Sequence, residues 1–138
     1  MLLLDTHVWI WTLEGDTRRI GRRARALLSR AESDDQIRVS PLTLFEVTAL
    51  HTLGRLRLAR PIHDWIRQAL GAGIRVAGLS PAAAADAGSI PRAALADPID
   101  RLLVATARDL EATLLTSDRR ILDYAARQRT VRTQDAGR

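Results

Sequence analysis

The chain opens with the stretch Met1-Leu2-Leu3-Leu4-Asp5, an apolar run that ends directly in an acid. A short apolar run of this kind predicts a buried strand. An acid at the end of a parallel strand places its carboxylate at the C-terminal edge of the sheet, where open α/β folds hold their sites. These five residues therefore predict a parallel sheet and a functional site at its edge.

The rest of the chain alternates segments that are typical of strands and of helices. We expect strands at residues 2–4, 37–40, 74–79, 113–116 and near Val131, and helices at 8–13, 18–30, 41–53, 63–72, from 81, at 99–110 and at 118–127. Such alternation favours a parallel sheet covered by helices on both faces. A length of 138 residues predicts one domain over residues 1–138, with residues 135–138 as a frayed tail.

Serine followed by proline marks the start of two predicted helices, at Ser40-Pro41 and at Ser80-Pro81. Serine is a favoured N-cap, and proline is favoured at the first helical position. In the helix that begins at Pro41, we expect four apolar residues to face inward: Leu42, Phe45, Ala49 and Leu53.

Composition excludes several classes of protein. All 21 basic residues are arginine, and the absence of lysine argues against a Walker A loop, a Schiff-base enzyme and a phosphoacceptor receiver domain. The absence of cysteine excludes disulfides, thiolate zinc sites and cysteine nucleophiles. No apolar stretch reaches the roughly 18 residues of a membrane span, and no export signal is apparent, so we expect a cytoplasmic protein.

The net charge of +5 is concentrated in two arginine clusters, at residues 18–30 and 119–132. Such clusters favour a polyanion through counterion release and bidentate phosphate contacts. A solvated helix face in an arginine-preferring protein is an equally good interpretation. The candidate contacts with RNA or a protein partner are Arg18, Arg19, Arg22, Arg23 and Arg119.

Further acids recur downstream at Glu46, at the pair Asp97 and Asp100, and at Asp118. Carboxylates that converge at one edge raise one another's pKa, so a divalent cation is the simplest way to keep them ionised. Each acid also has a structural interpretation. The aspartates are favoured at helix starts, and Glu46 lies close enough to the predicted buried stripe to need a partner such as an arginine. Of the neighbouring pair, we expect Asp97 to cap the helix and Asp100 to bind metal.

The histidines and tryptophans suggest structural roles. His7, His51 and His63 lie too far apart in sequence for a zinc motif. His7 is two residues from Asp5 and is near enough to approach a substrate, although a structural role is the favoured interpretation. We expect the three tryptophans to be core or interface anchors rather than base-stacking platforms: Trp9, Trp11 and Trp65. With so few other aromatic residues, the sequence does not favour a stacking surface for single strands.

Five blocks together resemble PIN domains of the VapC toxin type. They are residues 3–11 (LLDTHVWIW), 39–47 (VSPLTLFEV), 54–58 (GRLRL), 97–105 (DPIDRLLVA) and 115–118 (LTSD). The resemblance covers nearly the whole chain in order. It implies an α/β/α sandwich, a ribonuclease that depends on Mg²⁺ or Mn²⁺, a homodimer, and neutralisation by a VapB-like antitoxin.

The resemblance also assigns site residues. The catalytic and metal-binding acids of the family fall on Asp5, Glu46, Asp100 and Asp118. Because Mg²⁺ takes only one or two carboxylates directly, we expect Asp5 and Asp100 to be the direct ligands. The supporting residues are Asp97, Thr116 and Thr6. Members with the Asp-Pro-x-Asp sequence often carry histidine where this chain has Leu95, which affects local substrate contacts.

Three other functions compete with this interpretation. Structure-specific DNA nucleases use a related acidic cleft, but their added helical elements leave little room in 138 residues. A degenerate PIN domain that only binds other proteins is opposed by the presence of all four acids. A phosphatase of the haloacid dehalogenase type needs an acid where His7 stands, and a downstream lysine.

Overall fold

The computed structural model of the protein describes residues 1–71 and 73–138 and has a parallel sheet at its centre. Its strands are β1 (Leu2–Leu4), β2 (Ile37–Val39), β3 (Arg75–Val76), β4 (Thr113–Thr116) and β5 (Arg132–Asp135). They are arranged in the order β3-β2-β1-β4-β5, and every neighbouring pair is parallel. The N-terminal strand thus occupies the middle of the sheet.

Helices cover both faces of this sheet. They are α1 (Thr6–Glu14), α2 (Arg22–Ser33), α3 (Pro41–Thr52), α4 (Ile62–Gly71), α5 (Pro81–Ser89), α6 (Pro98–Asp109) and α7 (Arg119–Gln128). Successive side chains of a strand point to opposite faces. Leu2 and Leu4 accordingly pack with α1 to α4, whereas Leu3 packs with α6 and α7. The predicted α/β/α sandwich is confirmed.

The predicted caps are confirmed where serine precedes proline. The Ser40 hydroxyl accepts a hydrogen bond from the Leu42 N–H (3.1 Å), and the Ser80 hydroxyl accepts one from the Ala83 N–H (3.0 Å). Each serine satisfies a backbone donor that has no partner within its helix. These caps fix the starts of α3 and α5.

The inward face predicted for α3 is wrong at two positions. Phe45 and Leu53 are 63% and 66% exposed, whereas Leu42 and Ala49 are half-buried. The residues that α3 buries are Thr43 and Val47, which are one turn apart. The helix is rotated away from its larger apolar side chains, so an apolar strip remains on the surface.

The frayed tail predicted at residues 135–138 is also wrong. Asp135 ends β5, Ala136 is buried, and the chain then packs against the start of α2. The Gly21 N–H donates to the Ala136 carbonyl (2.8 Å), and the Arg23 N–H donates to the Arg138 carbonyl (2.6 Å). The tail is ordered because it supplies acceptors for backbone donors at the start of α2.

Gly21 also explains why the predicted helix at 18–30 begins late. A Cβ atom at this position would lie 2.3 Å from the Arg138 backbone, so only glycine fits. Gly21 is the N-cap of α2, and the residues before it form a separate 3₁₀ turn at Thr17–Arg19.

Other boundaries differ by a few residues. The strand predicted at 74–79 is limited to β3, and the helix predicted at 63–72 is α4, with Ala72 outside the described residues. The helix predicted from residue 8 begins at Thr6 because Asp5 caps it. Within residues 1–71 and 73–138, no helix is long and apolar enough to cross a membrane.

Candidate active site

Asp5 lies at the carboxyl end of the central strand and is only 8% exposed. Its Oδ1 accepts a hydrogen bond from the Thr6 N–H (2.7 Å), and its Oδ2 accepts one from the Thr116 hydroxyl (2.5 Å). Asp5 is also the N-cap of α1. The capping role and a position at the edge of the sheet therefore belong to the same residue.

Thr116 connects two of the predicted acids. Its hydroxyl donates to Asp5 and accepts a hydrogen bond from the Asp118 N–H (3.0 Å). The pairing of Leu4 with Leu115 makes this contact possible, because the next residues of β1 and β4 then lie side by side. Asp118 in turn caps α7 by accepting from the Arg120 N–H (2.8 Å).

Glu46 reaches the same edge from the middle of α3. Its Oε1 accepts a hydrogen bond from the hydroxyl of Thr6, which is buried at the start of α1 (2.7 Å). The alternative predicted for this residue was an ion pair with an arginine. Among the described residues, Glu46 has no such ion pair.

Asp97 and Asp100 occupy different positions at the start of α6. Asp97 is exposed and caps the helix by accepting from the Ile99 N–H (2.8 Å), so the predicted cap is confirmed. Asp100 is half-buried in the first turn. Burial, followed by repulsion from Asp97, Asp118, Asp5 and Glu46, raises the pKa of Asp100 to about 7.

The pKa values of two further acids, Asp5 and Glu46, are also raised. Burial is the main cause that raises the pKa of Asp5, against the lowering effect of its hydrogen bonds from Thr116 and Thr6. Burial also raises the pKa of Glu46, with smaller contributions from Asp5 and Asp97. Asp5, Glu46 and Asp100 are thus destabilised as anions by burial and by neighbouring acids, and the charge of His7 offsets only part of this effect at Asp5 and Glu46.

The acids supply only carboxylate oxygens, the donors preferred by hard divalent cations such as Mg²⁺ and Mn²⁺. As the side chains stand, no group of three or more His, Cys, Asp or Glu residues in the described part of the chain could hold a metal ion. A closed protein cage is therefore a poor fit. The chemistry and charge instead fit a hydrated cation that takes one or two carboxylates directly.

The predicted contact arginines lie outside this group of acids. Arg18, Arg22 and Arg23 are exposed, and the guanidinium of Arg19 lies over the Trp11 ring, 5.4 Å from its centroid. Arg119 opens α7 and lies 3.8 Å from an Asp135 oxygen. The sequence did not predict the contact between Arg19 and Trp11, because the two residues lie in separate elements.

The three tryptophans differ in their surroundings. Trp9 and Trp65 are buried and pack edge to face, with ring centroids 5.1 Å apart, as expected of core anchors. Trp11 is only half-buried. The spacing of His7 and Trp11, one helical turn apart, was the available signal that the two share an outer face of α1.

Comparison with known proteins identifies the family. The sequence profile of the PIN domain matches residues 2–127. The chain belongs to the PIN domain family. This PIN domain is 34% identical over 123 residues to Ribonuclease VapC22 of Mycobacterium tuberculosis (strain ATCC 25618 / H37Rv), covering 89% of this chain and 91% of that protein. The predicted membership of the VapC type is thereby confirmed.

Solved structures share the fold of this PIN domain. VapBC2 from Rickettsia felis, bound to a DNA fragment from their promoter, matches with a TM-score of 0.69 and 14% identity over 97% of each chain. DNA-bound VapBC from Salmonella typhimurium matches with a TM-score of 0.65 and 22% identity over 97% of this chain and 96% of that chain. These likenesses support the α/β/α architecture.

Proposed function

We propose that this PIN domain is the ribonuclease toxin of a VapBC-type toxin-antitoxin pair and cleaves RNA phosphodiester bonds with the help of Mg²⁺ or Mn²⁺. The observation that carries the proposal is the group of acids at the carboxyl edge of the sheet. Burial and mutual repulsion raise the pKa of Asp100 to about 7 there, so a bound cation would relieve a cost already present in the fold. The relative Ribonuclease VapC22 supports the same reaction class.

The acids divide into two roles in this proposal. Asp5 and Asp100 would bind the cation directly, because Asp5 is fixed by two hydrogen bonds and the charge of Asp100 is opposed by burial and by four neighbouring acids. Glu46 and Asp118 hold its water or a second ion. When bound, the cation supplies positive charge that acidifies a water molecule and stabilises the phosphate.

Neighbouring residues keep these carboxylates in place. The hydroxyl of Thr116 holds Asp5, and the hydroxyl of Thr6 holds Glu46. Both threonines are buried, so their rotation is restricted and the acids need little reorganisation to bind. Asp97 caps α6 and so fixes the helical turn that carries Asp100.

Partner contacts follow from the surface of the molecule. The exposed arginines near residues 18–23, with Arg119, position the RNA backbone or an antitoxin. The exposed Phe45 and Leu53 of α3 supply apolar area suited to a homodimer. A VapB-like antitoxin is proposed because the structural neighbours are VapBC complexes. We further propose a single domain over residues 1–138 that acts in the cytoplasm.

Cleavage of matched RNA and DNA oligonucleotides by the purified protein tests this function. We expect RNA to be cut in the presence of Mg²⁺ or Mn²⁺, EDTA to stop the reaction, and DNA to remain intact. Preferential cleavage of DNA would instead support the structure-specific DNA nuclease. Absence of cleavage with either metal would support a degenerate PIN domain that only binds proteins.

A further inference from the structure

Three side chains with flat faces follow one another on the surface of α1 and of the 3₁₀ turn after it: His7, Trp11 and Arg19. We propose that they form a stacking face that holds an unpaired nucleobase of the RNA beside the acids. The inference rests on the proposed function, because it identifies a feature of the substrate for the same site.

The geometry brings these groups into a continuous series. His7 and Trp11 are one helical turn apart on α1, with ring centroids 6.3 Å apart and ring planes at 52°. The guanidinium of Arg19 lies 5.4 Å from the centroid of the Trp11 ring, within the range of a cation–π contact. The stacking face therefore extends from the start of α1 to the 3₁₀ turn that follows it.

The stacking face begins at the acids. His7 lies in the first turn of α1, two residues beyond the Asp5 cap and next to Thr6, whose hydroxyl donates to Glu46 (2.7 Å). At the other end, Arg19 is joined by the exposed Arg18 and Arg22. An RNA strand that leaves the acidic edge along α1 thus meets aromatic rings first and then positive charge.

The surroundings of Trp11 differ from those of a core anchor. Trp9 and Trp65 are 0% and 3% exposed and contact each other, whereas Trp11 is half-buried and its neighbours His7 and Arg19 are exposed. One side of Trp11 packs against the core. Its remaining surface belongs to the stacking face, so Trp11 is held rigidly while still accessible.

An unpaired nucleobase fits this chemistry. Proteins recognise single-stranded RNA by stacking its bases on aromatic rings and arginine planes, and every base has a suitable π face. Arg19 adds positive charge for the backbone. We favour RNA over a protein partner because the face adjoins the acids that would act on the phosphate.

Equilibrium binding of a short single-stranded RNA tests the stacking face. It is measured in an Asp100→Asn background with Mg²⁺, so that cleavage does not interfere. We expect His7→Ala and Trp11→Leu to weaken binding about tenfold, as for the loss of a stacked base. His7→Phe and Trp11→Phe should restore most of the affinity, because each keeps a flat ring without the original polar group.

Arg19 has a matched control elsewhere on the surface. Arg19 pairs with Asp16 in the 3₁₀ turn, and Arg67 pairs with Asp64 on the surface of α4, each at a spacing of three residues. We expect Arg19→Ala to weaken RNA binding several-fold, with Arg67→Ala having a smaller effect. Equal losses would reduce the role of Arg19 to net charge and would overturn its place in the stacking face.

RNA oligonucleotides that lack one base at each position in turn provide the decisive readout. At one position, removal of the base should weaken binding to the Asp100→Asn protein. The same removal should have little effect on binding to the protein that also carries Trp11→Leu. Additive losses at every position, or unchanged affinity for RNA with loss of antitoxin binding, would overturn the proposal. Failure of the unsubstituted protein to cleave RNA would instead contradict the proposed function. The binding test would still be valid, because it does not depend on cleavage.

Discussion

The two ends of α6 carry charged side chains in opposite surroundings. At its end, Arg108 donates to both carboxylate oxygens of Asp86 (3.3 Å each), to the Tyr124 hydroxyl (2.6 Å) and to the Thr130 hydroxyl. At its start, Asp100 is surrounded by four other acids, and its pKa is raised to about 7. One helix thus carries a positive charge that is paired with a carboxylate and a negative charge that is opposed by other carboxylates.

The charged group at the end of α6 contributes to stability, whereas the charged group at its start points to function. A partly buried charge with complementary partners holds neighbouring elements together, as Arg108 joins α5, α6 and α7. A group of like charges lowers stability unless something else compensates, and perturbed pKa values of this kind are typical of functional sites. Substitutions at the two ends should therefore have different consequences.

The largest expected effect is the loss of activity at the acidic end. Asp5→Asn and Asp100→Asn should each lower the rate of metal-dependent RNA cleavage by about 10²- to 10³-fold, since each removes charge from the reacting centre. The measurement is single-turnover cleavage, with folding checked by circular dichroism. Asp97→Asn is the matched control, because asparagine is an equally good N-cap and should retain most activity. A larger loss of cleavage rate in Asp97→Asn than in Asp100→Asn would contradict the proposed division of roles between these two acids.

The next effect is a loss of stability at the other end of α6. Arg108→Met should lower the free energy of unfolding by about 2–3 kcal/mol, since it leaves Asp86 and Tyr124 without their partner. Arg67→Met, at an exposed ion pair, should change it by less than about 0.5 kcal/mol. Urea denaturation of both variants measures the difference. Equal effects would show that Arg108 contributes no more than a surface arginine.

A smaller effect is expected at the link between two acids. Thr116→Val removes the hydroxyl that contacts Asp5 and the Asp118 N–H, and should lower stability by about 1–2 kcal/mol and activity by about tenfold. Thr106→Val is the matched control, because that buried hydroxyl only donates to the Leu102 carbonyl within α6. Activity should remain near normal in the control. Equal losses of activity would remove the special role of Thr116.

The smallest effect is a dependence of stability on pH without divalent metal. The pKa of Asp100 is raised from 3.8 to about 7 in the folded protein, so the folded state binds more protons than the unfolded state between these values. Stability must then fall as the pH rises through this range. Asp100→Asn should remove part of this slope and gain roughly 1 kcal/mol above pH 7, after allowance for partial exposure. Denaturation at acidic and at alkaline pH in EDTA measures it, and an unchanged slope would contradict the assignment.

Much of the fold follows from local sequence patterns. The run Leu2–Leu4 predicted a buried strand, and the serine-proline pairs predicted two helix starts, because these signals depend on neighbouring residues. The family blocks predicted the sandwich, and an aspartate before proline favoured Asp97 as the cap of α6, although the sequence left open whether it also binds metal. The convergence of Asp5, Glu46, Asp100 and Asp118 at one edge was predicted from the sequence, and the other three acids of this set each raise the pKa of Asp100.

Other features depend on contacts that are distant in sequence. Phe45 and Leu53 have helical spacing, but the face that α3 buries is set by its packing against α1 and α4, so both side chains lie outside. The C-terminal tail is ordered through hydrogen bonds to Gly21 and Arg23, more than a hundred residues away. The partners of Glu46 were likewise hidden, because the Thr6 hydroxyl reaches it only after α1 and α3 have packed.

The pKa of the Asp100 carboxyl group, followed by NMR in the presence and absence of Mg²⁺, tests the central claim most directly. Without metal, we expect titration near 7, because burial and four neighbouring acids oppose ionisation. With saturating Mg²⁺, we expect the pKa to fall well below that value, because the cation replaces repulsion with attraction. Ordinary titration near 3.8 without metal, or a pKa that Mg²⁺ leaves unchanged, would contradict the account of this edge as a cation site.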